Sequence, residues 1–222
     1  MKLTKFELKL WLTSMIVILV SYIIAGGNDI LNVIASLIGV TALIYIAKGY
    51  VIGQILTVVF SVFYGIISFF FEYYGEMITY LFMTAPMAIV TLVAWIKHPY
   101  EGSKEVEVNK LTKKQIITMI ILTIIVTFIF YYILRYLENA NLLFSTISIT
   151  TSFIASYLTF LRSPYYAIGY AANDIVLIIL WILATLENIS YLPMVLCFVM
   201  FFANDLYGFY NWRKMQLRQN TI

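Results

Sequence analysis

The chain has 222 residues, 63% of them hydrophobic and only 11% charged, with a mean hydropathy of +0.93. A water-soluble domain needs far more polar surface, so this composition excludes that class and predicts an all-α polytopic membrane protein. The formal charge is +3, and the single cysteine, Cys197, excludes an internal disulfide or a cysteine metal cluster and reads as a packing residue in an apolar run.

A membrane-spanning helix needs roughly 20 mostly apolar residues. Eight segments qualify in chain order: Leu8–Ala25, Ile30–Ala47, Val51–Phe71, Met77–Ile96, Gln115–Leu137, Leu142–Leu161, Tyr165–Leu186 and Tyr191–Trp212. The first is expected to be a retained helix, because no convincing small-x-small cleavage site follows its apolar run. Gly26-Gly27-Asn28-Asp29 breaks the chain after it. Lys48-Gly49, Tyr73-Tyr74-Gly75-Glu76 and Arg162-Ser163-Pro164 read as interfacial turns, with Pro164 placed to start the seventh helix.

Charge sets the expected orientation. With the N-terminus inside, every one of the 14 lysines and arginines except Arg135 falls in an inside segment. The positive-inside rule then puts both termini in the cytoplasm. Lys97–Lys114 is the one substantial polar loop and reads as a solvated cytoplasmic linker, with a docking site for a soluble partner as the alternative.

An internal repeat surrounds that loop. Tyr-Val-Ile-Gly at 50–53 matches Tyr-Ala-Ile-Gly at 166–169, and Trp-Ile-Lys at 95–97 matches Trp-Arg-Lys at 212–214. The intervals from Gly53 to Trp95 and from Gly169 to Trp212 are 42 and 43 residues. Two three-helix units joined by one linker helix follow, and an odd linker gives parallel repeats, a known transporter plan. The expected organisation is an N-terminal extra helix (1–29), a first unit (30–96), a loop (97–114), a linker helix (115–140), a second unit (141–212) and a cytoplasmic tail (213–222).

Ionisable groups at bilayer depth cost roughly 2.5–3.5 kcal/mol on insertion scales and face a partner or a water-filled cavity. Asn173-Asp174 and Asn204-Asp205 repeat one amide–carboxylate pair in two spans. Helical spacing puts Tyr170, Asp174 and Trp181 on one face of the seventh helix, and Cys197, Asn204, Tyr207 and Asn211 on one face of the eighth. Gln54, Thr57, Ser61 and Tyr64 form a polar stripe in the first unit, and the sixth helix is rich in Ser and Thr, many of which serve only to bond backbone or neighbouring helices. The candidate substrate-binding residues are therefore Tyr170, Asn173, Asp174, Trp181, Asn204, Asp205, Tyr207, Gln54, Ser61 and Tyr64. Amides and carboxylates pair with sugar hydroxyls and base edges, aromatic faces stack on flat rings, and a carboxylate can stabilise a cationic ring. The lone histidine, His98, has no triad, metal cluster or phosphate loop around it in sequence, so neither catalysis, a cofactor nor a nucleic-acid partner is expected.

The motifs YGIISFFFEYYGEM, APMAIVTLVAWIKHP, ASYLTFLRSPYYAIGYAANDIV and NDLYGFYNW resemble the PnuC family of bacterial vitamin transporters, over about Leu31 to Lys214. The resemblance implies a seven-helix 3+1+3 core like that of the SWEET sugar transporters, with an extra N-terminal helix here. It also implies facilitated diffusion of a nucleoside-like vitamin, nicotinamide riboside by default, trapped by an intracellular kinase, and a homo-oligomer, a trimer. The sequence departs from the nicotinamide riboside branch at Ala167-Ile168-Gly169-Tyr170, where that branch has WxxW, and at Ala88 and Ser156, where it carries glutamine; Asn204 and Tyr207 keep its NxxY pattern. Substrate choice is expected to be decided at Ala167 to Tyr170, with a deoxynucleoside or thiamine as alternative cargo and a membrane scaffold or sensor acting through the 97–114 loop as an alternative of another class.

Overall fold

The computed structural model describes residues 3–26, 30–70, 74–139 and 141–220. Eight spans long and apolar enough to cross a membrane lie among them. They are α1 (Lys5–Ile24), α2 (Ile30–Ala47), α3 (Val51–Phe70), a broken fourth span made of α4 (Tyr74–Thr79), a π turn (Tyr80–Thr84) and α5 (Ala85–Lys97), then α6 (Lys113–Tyr136), α7 (Leu142–Phe160), α8 (Tyr166–Glu187) and α9 (Leu192–Gln219), the last entered through a 3-10 turn (Ile189–Tyr191). The predicted break at Gly27-Asn28-Asp29, and Phe71 and Tyr73, lie outside the described residues.

Boundaries moved where local hydrogen bonding dictates. Thr4 and Glu7 form a reciprocal capping box that starts α1 at Lys5, ahead of the apolar run. Thr112 and Gln115 do the same for α6. The segment 213–222, expected as a tail, instead continues α9 to Gln219, because Met215 is buried and Gln219 bonds to the long loop. In the fourth span Pro86 supplies no N–H, and the Ala85 amide reaches back five residues to the Tyr80 carbonyl. The chain relieves the proline by widening one turn, which the periodicity of the apolar residues does not show.

Six spans close into a ring. α2 packs on α3, α3 on α5, α5 on α7, α7 on α8, α8 on α9, and α9 back on α2. The two repeats therefore meet at two seams, α9–α2 and α5–α7. α1 packs on α2 and α9 and covers the first seam. α6 packs on α7, and its Phe130 and Leu134 join Met83 of the fourth span in one buried cluster at the second. The extra helix and the linker helix thus hold corresponding positions, and each begins with Thr-Lys and a capping box.

The repeated Tyr-x-Ile-Gly has a packing reason. A Cβ on Gly53 would lie 2.6 Å from the Ile46 backbone nitrogen, and one on Gly169 would lie 2.9 Å from the Ala155 Cα. Each glycine lets the first two helices of its repeat touch backbone to backbone. The repeated tryptophans exchange places across the seams. Trp95 Nε1 donates to the Thr159 carbonyl at 3.0 Å, Trp212 Nε1 donates to the Ile46 carbonyl at 2.8 Å, and the two rings lie 5.4 Å apart. With Tyr166, Ala167, Leu158, Ile46 and Met215 they close the end of the bundle that carries the termini.

The loop between α5 and α6 keeps most of its residues exposed, as a solvated linker would, and is anchored under that closure by one buried residue. Val106 is 1% exposed and its amide donates to the Gly49 carbonyl at 2.9 Å. Asn109 N–H donates to the Arg162 carbonyl, Arg162 Nε to the Glu107 carbonyl, and Gln219 Oε1 accepts from Val108 N–H. These bonds join the loop to both repeats, and they favour a structural strap over a scaffold or sensor segment.

Replacing Gly169 by valine should force α7 and α8 apart and destabilise the protein by about 1–3 kcal/mol, the usual cost of overpacking. A thermal unfolding midpoint in detergent equal to that of the unaltered protein would contradict this account of the repeat.

Candidate functional site

The ring encloses a cavity of about 570 Å³. Its lining reaches the exposed Glu138 and Glu187 at the end away from the termini, and it stops at the tryptophan closure at the other end. The repeat builds its deep wall. The residue after each Tyr-x-Ile-Gly, Gln54 on α3 and Tyr170 on α8, faces the cavity, and so do Thr57 and Asn173 three positions later.

Of the residues singled out from sequence, Gln54, Tyr64, Tyr170, Asn173, Asp174, Trp181 and Asp205 line this cavity. Asn173 is oriented by α7, where Ser148 Oγ and Thr151 Oγ1 both donate to its Oδ1 at 3.0 and 2.9 Å. The Tyr170 hydroxyl is 2.9 Å from Ser156 Oγ. Asp174 on α8 lies against the Asp205 carboxyl group on α9. Several α7 hydroxyls serve only their own helix, as Thr146, Thr150 and Thr159 do by donating to the carbonyl four residues back.

Three candidates lie elsewhere. Ser61 is fully buried and donates to the Thr57 carbonyl. Asn204 is 1% exposed, and its Nδ2 donates to Ser14 Oγ of α1 at 3.0 Å and to the Met200 carbonyl. The Tyr207 hydroxyl donates to Glu7 Oε1 at 2.8 Å, and the same carboxylate pairs with Lys48 Nζ at 2.9 Å. The polar face of α9 is thus the docking face for α1. Its cavity face is Phe198, Phe201 and Asp205. Ala167 also departs from expectation: it is fully buried in the closure, so of the Ala167-Tyr170 segment only Tyr170 reaches the cavity among its ends.

Sequence reasoning passed over Glu76, which it left in a turn. Glu76 lines the cavity and accepts from the Tyr64 hydroxyl at 2.9 Å. The π turn brings Tyr80 against Tyr64, with ring centroids 4.6 Å apart, and Phe60 lies 5.7 Å from each. The available signal was Pro86 nearly three turns from an acidic residue in an apolar span, since π turns concentrate at functional sites. Among the described residues Glu76, Glu138, Asp174, Glu187 and Asp205 line the cavity, and no Lys, Arg or His does. No three His, Cys, Asp or Glu side chains converge as a metal site among the described residues.

Residues 29–214 match the family described as nicotinamide mononucleotide transporter. The chain belongs to this family. It is a transporter family, so the chain is a membrane transporter and not an enzyme, and the resemblance to PnuC drawn from the motifs holds. The nicotinamide riboside transporter PnuC of Neisseria mucosa is 26% identical over 98% of this chain and 84% of its own length. The PnuC of Haemophilus influenzae is 22% identical over 95% of this chain and 91% of its own. A crystal structure of the vitamin B3 transporter PnuC superposes with a TM-score of 0.83 at 25% identity, covering 98% of this chain and 94% of that one.

Changing Tyr207 to phenylalanine should cost about 1–3 kcal/mol of stability, because the buried Glu7 carboxylate loses a donor. Substrate affinity should stay within about twofold, since Tyr207 touches α1 and not the cavity. Titration calorimetry beside a melting curve checks both; a large affinity loss with unchanged stability would put Tyr207 back in the site.

Proposed function

We propose that this transporter moves nicotinamide riboside across a bacterial cytoplasmic membrane by facilitated diffusion, with intracellular phosphorylation trapping the product. The observation that carries the reading is the charge of the cavity: among the described residues five carboxyl groups and no cationic side chain line it. Nicotinamide riboside has a flat, permanently cationic ring. Carboxylates attract that charge, and Phe60, Tyr64, Tyr80 and Trp181 offer faces on which the ring stacks. A phosphate group finds no arginine or lysine here, so the dephosphorylated nucleoside is favoured over the mononucleotide. The names of the curated relatives support the same cargo.

Thiamine also carries a cationic ring and is the second reading that this charge pattern favours; a neutral deoxynucleoside is disfavoured. The positive-inside distribution puts both termini and the tryptophan closure in the cytoplasm, so the cavity opens outward. The functional division remains the two three-helix units around one site, with Gln54, Tyr64, Tyr170, Asn173, Asp174, Trp181 and Asp205 as its substrate contacts and Glu76 added. A trimer is the assembly that the family resemblance suggests.

Proteoliposomes holding the purified protein should take up nicotinamide riboside, with thiamine and thymidine as competitors ranking the alternatives. Glu76→Gln should weaken binding of nicotinamide riboside about tenfold, roughly one charge-assisted contact, and leave its reduced form, whose ring is neutral, little changed. Vesicles that pass neither nicotinamide riboside nor thiamine would defeat the proposal.

A further inference from the structure

A second hollow, of about 790 Å³, lies between the start of α1 and the last turns of α9, and it shares no lining residue with the central cavity. Its floor is answered within the protein. The buried Glu7 carboxylate holds Lys48 Nζ at 2.9 Å and accepts from the Tyr207 hydroxyl at 2.8 Å. Its rim is not answered in the same way. Lys214 is exposed and forms no salt bridge among the described residues. Arg218 pairs with Glu105 of the long loop, but both side chains reach water, and an exposed pair of this kind adds little and is readily exchanged for another anion.

One side of the hollow is graded by depth. Leu206, Tyr210, Lys214 and Arg218 recur every fourth residue along α9, and all four line it. α9 starts at Leu192, and at about 1.5 Å per residue roughly 30 Å of hydrocarbon ends near Trp212. Leu206 therefore lies at acyl-chain depth, Tyr210 at the boundary where aromatic rings concentrate, and Lys214 and Arg218 at headgroup depth. Phe6 of α1, Leu206 and Tyr210 are all exposed, so the apolar part of the hollow opens toward lipid and not into the bundle. A soluble anion meets only the cationic rim. A zwitterionic lipid brings its own ammonium group beside two cations. A lipid with net negative charge matches the apolar wall and the rim together.

We infer that this hollow binds an anionic phospholipid, its phosphate on Lys214 and Arg218 and an acyl chain along Phe6, Leu206 and Tyr210. Basic hollows between spanning helices on the cytoplasmic side take such headgroups by charge match. The bound lipid touches both α1 and α9, so it fastens the extra helix over the α9–α2 seam. The inference goes beyond the transport reading and is independent of the cargo.

The test is native mass spectrometry beside melting curves on the purified full chain, delipidated in neutral detergent and then given phosphatidylglycerol, phosphatidylcholine or glycerol phosphate. The unaltered protein should bind phosphatidylglycerol at least about tenfold more tightly than phosphatidylcholine, and its melting temperature should rise with phosphatidylglycerol alone. Lys214→Gln combined with Arg218→Gln should cost about tenfold on phosphatidylglycerol and abolish the rise. Lys214→Gln alone should give part of that loss and serves if the double variant does not fold. Lys110→Gln combined with Lys113→Gln removes the same charge from exposed lysines outside the hollow and should change neither readout. Equal losses in the two double variants would overturn the site in favour of a general attraction to the basic face. Equal binding of the two lipids would overturn it as well, and so would equal protection by glycerol phosphate, which would make it a site for soluble anions.

Discussion

The exchange of indole hydrogen bonds between the two repeats holds the bundle in the form described. Trp95 of the first repeat reaches the Thr159 carbonyl of the second, and Trp212 of the second reaches the Ile46 carbonyl of the first. Both rings are fully buried and in contact. At 0% exposure a freed indole N–H or carbonyl in the closure has no water beside it, so each bond resists separation of the units. The closure leaves the six-span ring sealed at the end that carries the termini and open at the other. The cavity, its depth and its polarity gradient all follow from that one blocked end.

Polar side chains in the spans sort by whether the protein itself answers them. Asn204, Tyr207 and Asn211 are answered by Ser14, Glu7 and the Ala47 carbonyl. The oxygen of Asn173 is answered by Ser148 and Thr151. Gln54 lines the cavity with its Nε2 buried and without a partner among the described residues, and the Asp174 carboxyl meets that of Asp205. Adjacent Asp174 and Asp205 add like charges that repel when both are ionised, a tension that a cation in the cavity relieves. Structural polar groups and cavity polar groups can occupy one helix face-to-face, as α9 does, and only the partner helix tells them apart.

Much of this was legible in the chain itself. The number of spans followed from apolar run length, and the loop charges agreed with it. The Tyr-x-Ile-Gly and tryptophan matches located the two repeats, because backbone contact and indole exchange each demand one residue type at one place. The deep polar wall was visible at Gln54, Tyr170, Asn173 and Asp174. The failures share a cause. Setting α1 apart from the repeats left Asn204 and Tyr207 with no visible partner, so they looked available for substrate. Glu76 was hidden because its helix starts within a run of turn-forming residues, and because the π turn at Tyr80–Thr84 changes which side chains share a face. A one-residue register shift of that kind is set by how Pro86 is accommodated, which hydropathy does not encode.

The seams are not tied equally, and this bears on how the closed end could yield. At α9–α2 the Trp212 bond is joined by Asn211 Nδ2 to the Ala47 carbonyl, and Glu7 of α1 holds both Lys48 of α2 and Tyr207 of α9. At α5–α7 the Trp95 bond is joined by the loop's bonds at Arg162, the side-chain one exposed to water, and α6 covers the seam mainly through Phe130, Leu134 and Met83, which are apolar. Apolar contacts slide at little cost between helices already surrounded by lipid, whereas a buried ion pair with a shared tyrosine donor must be broken outright. Separation of the repeats at the closed end therefore costs less along α5–α7. The helix that the repeat pattern leaves over is what makes the two seams unequal.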